Sequence, residues 1–181
     1  MRRSQVELPG SAVLALAGGV AWLLGTAALS AGTGTVVLAA GLAGTAWLFR
    51  EARRRPASGP PLHRAGRARV LRLLAIGAGV AALGGLGLSL FGLAELAFPL
   101  AVGVAGAVLL PLASLVGARA YLALGAGLML VAATGALRAL DTVGPAYPQG
   151  FVGMAAGALL WLTAAQQAGL LAELRDRIGS R

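Results

Sequence analysis

A chain of 181 residues that is 58% hydrophobic and only 12% charged cannot cover its surface with polar groups, because a soluble domain carries about twice that charge. It has no cysteine, which excludes disulfides, thiolate catalysis and cysteine metal sites. The formal net charge of +9 rests on fifteen arginines against six acids, and where the arginines stand matters more than their sum.

The first predicted element is the apolar run Ser11–Ser30, preceded by Arg2, Arg3 and Glu7. Its end, Ala28-Leu29-Ser30-Ala31, imitates a signal-peptide cleavage site. The run is longer than a signal h-region, however, so the span is expected to be retained. Thr33–Phe49 is the second element. A basic loop over residues 50–72 follows, and the stretch from Phe49 to Arg72 holds eight arginines and one glutamate. Leu73–Leu93, Leu96–Val116, Tyr121–Leu137 and Phe151–Leu171 complete a set of six uncharged segments. A helix of about 20 apolar residues crosses about 30 Å of hydrocarbon. The runs are continuously apolar and rich in Ala and Leu, which disfavours the alternation of barrel strands. The expected fold is all-α and membrane-embedded, a single domain over residues 1–181.

Orientation follows from charge. With the N-terminus inside, the basic loop, the Arg119 turn and the C-terminus are also inside, which places fourteen of fifteen arginines there and leaves Arg138 outside. The positive-inside rule then gives both termini on the cytoplasmic side, and the expected location is the bacterial inner membrane. The plainest role for the basic loop is topological. The functional reading is recognition of anionic lipids by Arg53, Arg54, Arg55, Arg64, Arg67, Arg69 and Arg72, since clustered basic residues beside a span attract anionic headgroups. Arg64, Arg67 and Arg72 would extend the third helix as a basic interfacial turn. Nucleic acid is not an expected partner, because the loop offers no aromatic stacking platform beyond Phe49 at its edge.

The segments repeat. The odd-numbered ones carry LALAGGV from Leu14, LAIGAGV from Leu74 and LALGAGL from Leu122. The even-numbered ones carry GLAGTAWL from Gly41, GVAGAVLL from Gly103 and GMAAGALL from Gly153. The two patterns lie 27, 29 and 31 residues apart in successive copies. This reads as three tandem, like-oriented two-helix hairpins over 11–49, 73–116 and 121–171. Small residues let helix backbones approach in lipid. The pairs Gly153 and Gly157, Ala113 and Gly117, and Ala101 and Ala105 are therefore expected at helix contacts within one chain, with a homo-oligomer face as the alternative. Gly77, Gly79, Gly84, Gly85 and Gly87 make the third helix smooth.

Chemistry is sparse. The one histidine, His63, lies in the basic loop and cannot alone build a zinc or two-ligand haem site. No span carries a carboxylate at its middle, which argues against a proton pump. A polar pathway would have to use Thr163, Gln166 and Gln167, the Pro111 kink, and Glu95 at its mouth. Glu95, flanked by Leu93, Ala94 and Leu96, is expected to be partly desolvated, which would raise its pKa. Arg138 and Asp141 are spaced to pair across a helical turn. No catalytic residue, cofactor or metal is expected.

Three like-oriented hairpins with an arginine-rich inner loop resemble the HdeD family of small bacterial membrane proteins. That family is built from repeated two-span units, and its name-giving member is tied to acid resistance. The resemblance implies a non-enzymatic, stress-related or membrane-organising protein. The rival readings are a small-solute transporter or channel and an accessory subunit of a larger membrane complex.

Overall fold

The computed structural model describes residues 10–27, 31–55, 64–116, 118–140 and 148–179. The described residues form seven α-helices: α1 Gly10–Thr26, α2 Ala31–Arg54, α3 Arg64–Leu90, α4 Ala97–Val116, α5 Arg119–Leu140, α6 Pro148–Gln167 and α7 Leu170–Gly179. A 3-10 turn, Ala94–Leu96, precedes α4. No strand occurs among the described residues. Among the described residues, three stretches are long and apolar enough to cross a membrane: Ala68–Leu90, Ala94–Leu115 and Arg119–Leu140. Helix α1, with 17 residues, is shorter, at about 25 Å by its rise per residue.

The expected loop over residues 50–72 needs correction at both ends. Helix α2 runs on through Arg54 and α3 starts at Arg64. Arg, Ala, Glu and Leu are strong helix formers, so leaving the apolar stretch does not end the helix. Only residues 56–63, including His63, lie outside the described residues there. The sixth segment also ends earlier than Leu171. Gly169, at φ +75°, takes the left-handed conformation that commonly terminates a helix. The chain then restarts as the amphipathic α7.

The helices pack in the order α2, α1, α6, α5, α4, α3, with α1–α6 and α4–α5 the most extensive contacts. Glycine positions fix their directions. Gly18 faces Gly157 and Gly25 faces Gly153, so α1 and α6 are antiparallel. Gly106 faces Gly125, and Gly103 faces Ala132, so α4 and α5 are antiparallel. Gly77 meets Val108 and Gly84 meets Leu100, which sets α3 against α4 in the same sense. Gly127 against Leu159 and Gly135 against Val152 do the same for α5 and α6.

The core sits along α1, α5 and α6. It includes Leu14, Leu48, Leu124, Leu128, Val152, Ala156 and Ala164. Val152 is fully buried, seated against Gly135, where Pro99 also approaches. Two tryptophans complete the α2–α1–α6 joint. Trp22 lies over Gly41, and its Nε1 donates to the Val37 carbonyl at 2.9 Å. Trp161 lies over Gly18, and the two indole rings are 4.8 Å apart. Thr45 fills the space beside Gly19 while donating to the Gly41 carbonyl.

Candidate functional site at the basic end of the bundle

Alternating helix directions bring the arginines together. The start of α1 meets α5 and α6 at one end, where a Cβ on Gly10 would lie 3.2 Å from the Tyr121 hydroxyl and 3.7 Å from Gln167 Oε1. The end of α2 joins them through Arg55, which reaches Ala168 just beyond α6. Antiparallel packing on α4 puts the start of α3 at the same end. Arg50 to Arg55, Arg64 to Arg72, Arg119 and Arg175 therefore share one end of the bundle. Arg138 is at the other end, where its guanidinium stands 5.2 Å from the Phe151 ring centroid. Asp141, its expected partner, lies outside the described residues.

Arg55 is tied down. Its Nη1 donates to the Ala168 carbonyl at 2.8 Å, at the negative end of the α6 dipole. Nη1 also stands 2.9 Å from Glu173 Oε1, and Nη2 donates to Glu173 Oε2 at 3.0 Å, which is the paired geometry that suits a guanidinium. Nε donates to Glu51 Oε1 at 3.1 Å. The hydrogen bonds to Glu173, and then to Glu51, raise the Arg55 pKa above its ordinary value. Arg55 thus staples the end of α2 to the elbow between α6 and α7. Part of this was readable, since Glu51 and Arg55 are four residues apart. The bond to Glu173 spans 118 positions, and no local pattern announces it.

The other arginines of this turn differ. Arg50, Arg53 and Arg54 are exposed, and among the described residues the ion pairs involve neither them nor any acid other than Glu51 and Glu173. Arg53 stacks over Phe49, 5.6 Å from the ring centroid. Arg69 and Arg72 are exposed on the first turns of α3. Arg64 and Arg67 belong to the same turns, but their side chains lie outside the described set.

The five polar-pathway residues are not gathered. Thr163 is buried and donates to the Leu159 carbonyl of its own helix at 2.9 Å. Gln167 is half-buried and Gln166 is exposed, so the two glutamines point to different surroundings. Pro111 lies inside α4 on an exposed face. Glu95 is exposed in the 3-10 turn, at the end opposite to the glutamines.

Among the small-residue pairs, Gly153 and Gly157 face α1 within the chain: a Cβ on Gly157 would lie 2.9 Å from the Gly18 carbonyl oxygen. Ala113 is buried, Gly117 lies outside the described residues, Ala101 is half-buried and Ala105 is exposed. The glycines of α4 that meet α5 are instead Gly103 and Gly106. Three groups of His, Asp or Glu that could hold a metal do not occur together among the described residues. In comparisons with known proteins, no family model, no curated protein and no solved structure gives a significant match to the chain.

Proposed function

We propose that this chain is a non-enzymatic, multi-pass protein of the bacterial inner membrane that organises the bilayer around it, with its arginine-rich end on the anionic cytoplasmic leaflet. In this reading α1 to α6 are six spans in three like-oriented hairpins, with both termini inside, an architecture in keeping with the HdeD-like repeats. The observation that carries the proposal is the segregation of charge. Antiparallel packing sends the arginines of α2, α3 and α7, together with Arg119 of α5, to one end, and such asymmetry sets orientation and draws anionic lipid. The apolar flank supports it too. Leu83, Leu86 and Leu90 of α3 are 72%, 64% and 86% exposed, a surface that suits acyl chains and not water.

A transport pathway has less support, because Thr163 bonds within its own helix and Pro111 and Glu95 stand apart from it. Topology tests the proposal directly. The chain has no cysteine, so single cysteines report cleanly. Ala94→Cys should react with an impermeant maleimide on intact cells. Ser58→Cys, between α2 and α3, should react only after the membrane is opened. The reverse pattern would overturn the orientation, and a chain that fractionates without membranes would overturn the proposal entirely.

A further inference from the structure

The last turns of α2 depart from the rest of the helix. Trp47 is 59% exposed on its outer side, Phe49 is half-buried, and Arg50, Arg53 and Arg54 are exposed. Positions i, i+1, i+4 and i+5 fall on one side of a helix with 3.6 residues per turn. Phe49, Arg50, Arg53 and Arg54 accordingly line one open groove of about 350 Å³. The acid within this turn does not neutralise it. Glu51 turns to Arg55, and Arg55 is further engaged by Glu173 and the Ala168 carbonyl. Three guanidiniums thereby share one groove with no carboxylate paired to them among the described residues, and an anion seated there would relieve their mutual repulsion.

Guanidinium presents paired N–H donors that match phosphate oxygens. Phosphate could arrive free or on a lipid, and the depth of the groove decides between them. Indole rings on outer helix faces settle at headgroup level. Trp47 lies two residues before Phe49, so the groove opens at or just beyond that level. Phe49 adds an apolar wall that suits a glycerol backbone and carries Arg53 on its face. We propose that this groove is the headgroup seat of one anionic phospholipid, with Arg50 and Arg54 binding phosphate oxygens and Arg53 positioned by Phe49. The inference rests on the reading that this end faces the anionic leaflet, and it adds a defined seat and excludes Arg55 from it.

The full-length protein in mild detergent, titrated with phosphatidylglycerol or phosphatidylcholine and read by native mass spectrometry, tests this. The wild-type chain should prefer phosphatidylglycerol. Combined Arg50→Gln, Arg53→Gln and Arg54→Gln should weaken that lipid on the order of 100-fold, as the charge-by-charge attraction implies, with helix content unchanged. Should the triple variant fail to fold, Arg54→Gln alone should weaken it about fivefold. Arg55→Gln should leave lipid affinity unchanged while exposing the α6–α7 elbow to protease. Wild-type preference retained in a folded triple variant would overturn the seat and leave the wider reading standing. Absence of any preference in the wild type would overturn both. Displacement of the lipid by millimolar inorganic phosphate would overturn the assignment to lipid in favour of a free anion.

Discussion

Helix α1 lies between α2 and α6, whereas α3 lies at the edge of the array, against α4 and the 3-10 turn. Both are rich in glycine, and both carry the same LA-type repeat. In α1 the glycines are consumed by neighbours: Gly18 by Trp161, Gly19 by Thr45, and Gly25 by the backbone of α6. In α3, Gly77 and Gly84 receive Val108 and Leu100, while Gly79 and Gly87 meet nothing. Only 6% of the α3 span is buried. Glycine content in an apolar helix therefore does not locate a seam. What matters is whether the missing Cβ lets a carbonyl or an indole come closer than any other residue would allow. In lipid, where apolar surface gains nothing from leaving the solvent, that approach is the source of helix association.

The sharpest break of this contrast is Gly25→Leu. A Cβ there would fall 2.7 Å from the Met154 amide nitrogen and 3.0 Å from the Gly150 carbonyl oxygen. Both are backbone atoms, and neither can step aside by changing rotamer. Helices α1 and α6 must separate along their length, at a cost of about 3 kcal/mol, the upper part of the overpacking range. Unfolding in mixed micelles with rising dodecyl sulfate should show the midpoint fall. Because Trp22 and Trp161 flank the same seam, their fluorescence should report its opening before helix content is lost.

A smaller effect separates the two tryptophans. Trp22 Nε1 has a partner in the Val37 carbonyl. Trp161 Nε1 is buried without a partner among the described residues. Replacing a satisfied donor forfeits a net hydrogen bond of about 1 kcal/mol, whereas replacing an unsatisfied one removes a desolvated group and recovers part of its penalty. Trp22→Phe should therefore destabilise by about 1 kcal/mol more than Trp161→Phe in the same micelle titration. Equal losses would mean that ring volume alone holds the joint.

These residues also show where the sequence was legible. Each of the six apolar segments contains a helix, because apolar length and the absence of charge are local properties. Helix ends were less legible. Arg50 to Arg54 read as loop by charge but continue α2, and α6 ends at Gln167, ahead of Leu171, with the left-handed Gly169 just beyond it, a stop that the overall length of the apolar run does not mark. Partner choice was least legible. The GxxxG pair of α6 stood out as a motif, yet that its neighbour would be α1, nearly the whole chain away, depends on packing order. The same holds for Arg55. It belonged to a cluster of like charges, and the staple to Glu173 removed it from that group. The polar-pathway residues looked related because Thr163 and the two glutamines are close in sequence, but burial turned them to different surroundings.

The least disruptive change should be Gly79→Leu, and it probes the other side of the comparison. Apart from its chain neighbours and the nearby backbone of its own helix, no atom lies within 4 Å of a Cβ at this position, and neighbouring Val80 and Leu83 are already 51% and 72% exposed. A leucine there would extend an apolar surface that acyl chains cover at no cost in packing. The micelle midpoint should stay within about 0.5 kcal/mol of the wild type, the ordinary range for a surface substitution. A loss approaching that of Gly25→Leu would show that the outer face of α3 is packed against protein in the membrane. In that case the edge of the array would be a seam as tight as the one between α1 and α6, with Gly79 serving there as Gly25 does at the centre.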